Sequence, residues 1–282
     1  MKLKNYVIAF AVISIVAGVS SCKKNSPDNS AASELQATVE LSGDQAISDN
    51  LNADAENVLT EAAVDNHFAG SRTTEVTQTM NLLSCASVTV APLNGFPKTI
   101  TIDFGSGCPS QDVVRSGKII VTLSDSLRKS GSVAVMTFDN YYVSGFKKEG
   151  TITWTNTSHE AIKSWSRNCE NGKITAPGGS YWVHSGTQNV VQTEGSGTPF
   201  NLLDDVFSTT GSATVTNSAG VTRTSEITIA LEKKVACDNI DKGAIKISGP
   251  SHYAVVDFGD GACDRLGSVS IDGSNPVTIL LR

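Results

Sequence analysis

The chain has 282 residues, with 22 basic and 28 acidic side chains and a formal net charge of −6. That acidic balance, with no Lys/Arg cluster longer than a pair, argues against nucleic acid or anionic lipid headgroups as the main partner. The length suits one large domain or two small ones and is enough to bury a real core.

At the amino terminus, Lys2 and Lys4 precede an uncharged, mostly apolar run from Tyr6 to Val19, which ends in Ser20 and Ser21. This is the three-part pattern of a secretory signal. The run is shorter than the roughly 18 to 20 apolar residues needed to span a bilayer, so residues 1–21 are expected to be removed. The stretch Val19-Ser20-Ser21-Cys22 resembles the bacterial lipobox, which implies a diacylglycerol on the Cys22 thiol and an acylated amino terminus. Each buried methylene contributes about 0.8 kcal/mol, so two or three acyl chains give lasting membrane attachment. Lys23 stands where some bacteria place an inner-membrane retention aspartate, and by the same resemblance the outer membrane is the expected location. Residues 22–42 read as a lipidated tether, because Lys23 to Ala37 is too polar to order itself by burial. Loss of the signal leaves 20 basic and 28 acidic residues, a net charge of −8.

Residues 43–70 read as a helical segment. Ile47, Leu51, Ala55, Val58 and Ala62 recur at steps of three and four and form one stripe, and Ser42 with Gln45 suggests a capping box. The stripe has little bulk, so the helix is expected to lie against a sheet without becoming a hub of the core.

From residue 71 to 282 the composition is that of strands, rich in Thr, Ser, Val, Ile and Gly. Two units repeat, at about 85–123 and 237–272. Each is a cysteine, a strand, a turn, a strand ending in Asp-Phe-Gly, a second cysteine and a further strand. Val88, Val90, Ile100, Ile102 and Phe104 alternate in the first; Ile245, Ile247, Val256 and Phe258 alternate in the second. Alternation of period two about a turn marks a hairpin with one buried face. A hairpin brings its ends together, so Cys85 is expected to bond Cys108, and Cys237 to bond Cys263. Export permits this, and each closure contributes roughly 3 to 3.5 kcal/mol in the chain-entropy picture. Cys169 is left over, in a stretch that reads as a turn. Between the units, alternating segments punctuated by glycines continue without a helical interruption. The fold class is therefore mainly β: an antiparallel meander, sandwich or half-open barrel with one amino-terminal helix packed on it.

The lipobox, Lys98-Thr-Ile-Thr-Ile-Asp-Phe-Gly through Cys108, Arg115-Ser-Gly-Lys-Ile-Ile-Val-Thr, Phe138-Asp-Asn-Tyr-Tyr-Val-Ser-Gly and the closing Asp257-Phe-Gly-Asp-Gly-Ala-Cys263 resemble a group of uncharacterised β-rich lipoproteins of Gram-negative bacteria. The resemblance supports the domain boundaries and implies no activity.

Catalytic signatures are missing. Asp-Phe-Gly occurs twice without a kinase's companion motifs, and Ser126-x-x-Lys129 and Ser144-x-x-Lys147 lack the partners of penicillin-binding enzymes. No Walker loop, Gly-x-Ser-x-Gly, His-Glu-x-x-His or Cys-x-x-Cys is present, and no cofactor is expected. Asp257, Asp260 and Asp264 are weak candidates for a metal, since the spacing misses the calcium loop. Tyr181 and Trp182 must face opposite sides of a strand, which offers one of them as an exposed aromatic for a glycan or protein contact. The expectation is a non-enzymatic binding or structural module with an unidentified protein or glycan partner. The alternatives are a carrier of an apolar ligand in a half-open barrel, and a glycan hydrolase built on paired carboxylates about 5 to 10 Å apart.

Overall fold

The computed structural model describes residues 28–66, 81–110, 113–198, 204–237 and 239–280. The signal segment, Cys22 and residues 67–70 of the expected helical segment lie outside the described residues. Within them, one helix, α1 (Asp28–Asp65), is followed by fourteen strands: β1 (Ser87–Ala91), β2 (Lys98–Asp103), β3 (Cys108–Ser110), β4 (Val113–Leu123), β5 (Val133–Val143), β6 (Phe146–Asn156), β7 (Ser164–Thr175), β8 (Tyr181–Glu194), β9 (Val206–Asn217), β10 (Thr222–Lys234), β11 (Lys242–Ser248), β12 (Tyr253–Asp260), β13 (Leu266–Ile271) and β14 (Val277–Leu280). All pair antiparallel in one open sheet in chain order, except that short β3 pairs only with β4, beside β2. The meander expected from the alternation is therefore a single sheet and not a sandwich.

The two cysteine units lie towards opposite ends of this sheet, as β1–β2–β4 and β11–β12–β13. Both disulfides are formed, with Cα–Cα distances of 5.5 Å for Cys85–Cys108 and 5.4 Å for Cys237–Cys263. The Asp-Phe-Gly corners are built alike. Asp103 Oδ1 accepts the Gly105 amide at 2.8 Å, and Asp257 Oδ1 accepts the Gly259 amide at 2.8 Å. Phe104 and Phe258 turn inward in both copies. The motif is thus a turn closed by an aspartate, with a buried phenylalanine as its peg.

Register shifts interrupt every ladder from β4–β5 to β11–β12. Bulges bend a strand and increase its twist, so a row of them curls the sheet. Gly117 shows the local demand. Its φ is +76°, and a Cβ there would lie 1.9 Å from the Asn140 carbonyl oxygen across the bulge.

The helix lies inside this curl and across the strands. Asp54 meets β4 and β5, Asn52 meets β6, Ser48 meets β8, Thr38 meets β10, and Glu34 meets the β11–β12 turn. Twenty residues of helix from Glu34 to Asp54 cover about 30 Å at 1.5 Å per residue. Seven strand spacings from β4 to β11 cover about 34 Å, so the two progressions match.

Two expectations about this helix need correction. It begins at Asp28, so residues 28–42 are helical where a tether was expected; Ser42 is mid-helix, its hydroxyl donating to the Thr38 carbonyl, and caps nothing. Thr38 and Leu41 are buried, and Glu34 grips the far turn, so tertiary contacts extend the helix beyond its polar-looking start. Nor is the helix peripheral. Leu41, Leu51, Ala55, Val58, Leu59, Ala62 and Ala63 join Ile100, Ile102, Ile119, Val121, Met136 and Ile152 in one core. Small alanines lower the bulk of the stripe but let the sheet close around it.

Candidate functional site

Two environments lie beneath the helix. The first is a polar seam, where basic side chains on inward strand positions meet helix acids and amides. Arg115 on β4 pairs with Asp54, its Nε at 3.1 Å, and Tyr141 Oη donates to the same carboxylate at 3.1 Å. Lys148 Nζ donates to Asn52 Oδ1 at 2.6 Å and sits 4.9 Å from the Phe138 ring centroid. Arg167 lies 3.5 Å from Asp49 and 3.6 Å from Glu56. Trp182 Nε1 donates to Ser48 Oγ at 2.8 Å. Arg223 donates to Thr38 Oγ1 and to the Glu34 carbonyl, each at 2.8 Å, while the Glu34 carboxylate accepts the Ser251 and His252 amides.

Burial dominates the titration of this seam. It pushes Lys148 down to about 8 and raises Asp49 and Glu56, the nearby Arg167 opposing the rise at both acids. His184, on β8, is pushed down to about 3, first by burial and then by the charges of Lys148 and Arg167. In the unfolded chain an imidazole titrates near 6.5. The unfolded state therefore takes up a proton between about pH 6.5 and about 3 that the folded state refuses, and stability from this site is lost as pH falls through that window. His184→Gln is expected to flatten the fall in unfolding free energy between pH 6.5 and 4, measured by urea titration. Equal slopes for the two proteins would mean that the imidazole ionises freely in the fold.

The second environment is a cavity of about 810 Å³ between α1, from Leu35 to Asn57, and strands β7 to β14. Its walls are mainly apolar, with Leu35 and Ile47 from the helix, Phe207 and Ile227 from the middle strands, and Val256 and Ile279 from the last ones. The contrast with the other end of the sheet is informative. In the first cysteine unit Ile100, Ile102 and Phe104 are sealed against the helix. In the second, the matching positions are Ala254, Val256 and Phe258, all three of which line the cavity, and Val256 is only partly buried. Leu231, Ile240 and Phe258 form a small separate cluster there.

The residues singled out from sequence take separate places. Cys22 is outside the described residues. Tyr181 is exposed with Lys173 Nζ 4.7 Å from its ring centroid, whereas Trp182 is core, so alternation separates them as expected. Asp257 and Asp264 accept the amides of Gly259 and Leu266 in their own turns, and the structure does not gather them with Asp260 around a common point. Among the described residues, the metal-capable group that does converge is Cys237, Asp241 and Cys263, whose two sulfurs are in a disulfide. Cys169, expected in a turn, is buried within β7 at a bulge, its Sγ 3.7 Å from His184 Nδ1. The bulge absorbs the turn-like residues; Asn171 beside it has a φ of 51°. Burial raises the thiol's pKa, which leaves it a poor nucleophile.

Sequence reading missed Arg115, Lys148, Arg167 and Arg223 as interior groups. Their signal was parity: Lys148 shares the phase of Ile152, and Arg115 that of Ile119 and Val121. No family model matches this chain, and neither a curated protein nor a solved structure was found to be similar to it.

Proposed function

We propose that this protein is a cell-envelope lipoprotein, held at the outer membrane through lipid on Cys22, whose β body carries an apolar ligand beneath its helix. The carrying observation is the cavity. At about 810 Å³ it is within the ordinary size of small-molecule sites, roughly 300 to 1,000 Å³. Its floor includes Ala254, Val256 and Phe258 on β12, whose counterparts Ile100, Ile102 and Phe104 on β2 belong to the main core. A folded chain keeps such a surface open only at a cost of about 25 cal/mol per Å² of apolar area, and a ligand would offset that cost.

Titration of purified protein, as C22S to keep any acyl chain out of the cavity, with the fluorescent probe N-phenyl-1-naphthylamine is expected to show saturable binding of about one probe per chain. A linear, unsaturable signal would sink the carrier reading. Anchoring has its own check: the intact mass of the membrane-extracted protein is expected to fit a chain starting at an acylated Cys22. An unmodified cysteine there would remove the envelope assignment.

A further inference from the structure

The polar groups of the cavity wall are unevenly matched. Three cations line it, and all are engaged. Arg167 faces Asp49, Glu56 and Gln188; Arg223 is held by Thr38 and two backbone carbonyls; Lys233 donates to the carbonyls of Cys237 and Asn239. None is left to receive an anionic head.

The acceptors are in the opposite condition. Gln45, 8 % exposed, spends its amide nitrogen on Asp49, and its buried Oε1 has no hydrogen-bond partner. Glu56 Oε1 is likewise buried without a partner. Asp44 lines the same cavity beside Gln45, and among the described residues its carboxylate has no hydrogen bond or ion pair. A buried acceptor left unsatisfied costs about 1 to 3 kcal/mol, so this wall favours a ligand that brings donors.

Resting on the carrier reading above, we propose that the cavity selects an apolar molecule with a hydrogen-bond-donating, positively charged end, a long-chain amine, over the carboxylate of equal length, with Asp44 and Gln45 receiving the head. Glu40, one helical turn before Asp44, adds a second negative charge on the same wall. Glu56 supplies a further acceptor deeper along the helix.

The test is displacement of bound N-phenyl-1-naphthylamine by dodecylamine, dodecanol and dodecanoate at pH 8, below their aggregation concentrations. Dodecylamine is expected to displace the probe at a concentration at least tenfold lower than dodecanoate, with dodecanol between them. Asp44→Asn is expected to weaken dodecylamine at least fivefold and to leave dodecanol unchanged. Asp44 is only partly buried on the helix, so a fold-neutral variant is expected, checked by an unchanged melting temperature. Dodecanoate binding as well as or better than dodecylamine would overturn the head-group assignment while leaving the cavity a binding site. So would a D44N protein with an intact amine preference. Failure of all three ligands to displace the probe would instead count against the carrier reading itself.

Discussion

Ala254→Trp is expected to weaken probe binding at least tenfold while leaving the protein as stable as before or more so. Ala254 lies on β12 with its side chain on the cavity wall, opposite Ile271 in the ladder. An indole there projects into open space beneath the helix. In a filled core the same change would force neighbours apart and cost about 1 to 3 kcal/mol. In a cavity it gains contacts, and such changes commonly add about 0.5 to 2 kcal/mol. The sign of the stability change therefore reports independently on whether the space is open in solution. Urea unfolding and probe titration on one preparation measure both quantities. A destabilised variant that still binds the probe would mean that the ligand sits elsewhere and that β12 is packed. Val269→Trp, on the neighbouring strand and lining the same cavity, is expected to behave alike.

Asp54→Ala is expected to be the most damaging single change in the seam, at about 3 kcal/mol or more. Arg115 is 2 % exposed, and Asp54 is the partner of its guanidinium and of Tyr141 Oη. Removing the carboxylate strands a buried cation and a buried hydroxyl together. Breaking such a pair from one side costs about 3 to 5 kcal/mol, whereas replacing both partners with apolar groups of similar volume is often neutral. Asp54 itself keeps some solvent contact, with an 18 % exposed side chain, which places the effect near the lower end. The double variant Asp54→Leu/Arg115→Met is expected to recover most of the loss. Urea titration of the two proteins decides it: equal destabilisation would assign the effect to packing around the helix and not to the stranded charge.

The seam also explains why a helix with so little hydrophobic bulk is held centrally. Its alanines let the sheet come close, and its acids and amides fit the basic side chains that the strands turn inward. Those charges specify one placement of the helix along the sheet, since a one-residue slide would unpair several of them at once. Between β7 and β14 the helix does not fill the space above the sheet, and the cavity opens there beside the seam.

Strand identity, the twin hairpins and both disulfides were legible from residues alone, because each depends on contacts close in sequence. Alternation sets which side of a strand is apolar, and a hairpin brings its own cysteines together. Tyr181 and Trp182 were separable for the same reason. The beginning of the helix, the placement of Cys169 and the role of the interior cations were decided only by tertiary structure. Glu34 holds its helical turn through a loop more than 200 residues away, Cys169 is buried by a bulge that reads locally as a turn, and Lys148 meets Asn52 across 96 residues. The cavity belongs to this second group. The two cysteine units carry the same alternation, and their different packing against the helix puts β2 in the main core while β12 lines the cavity.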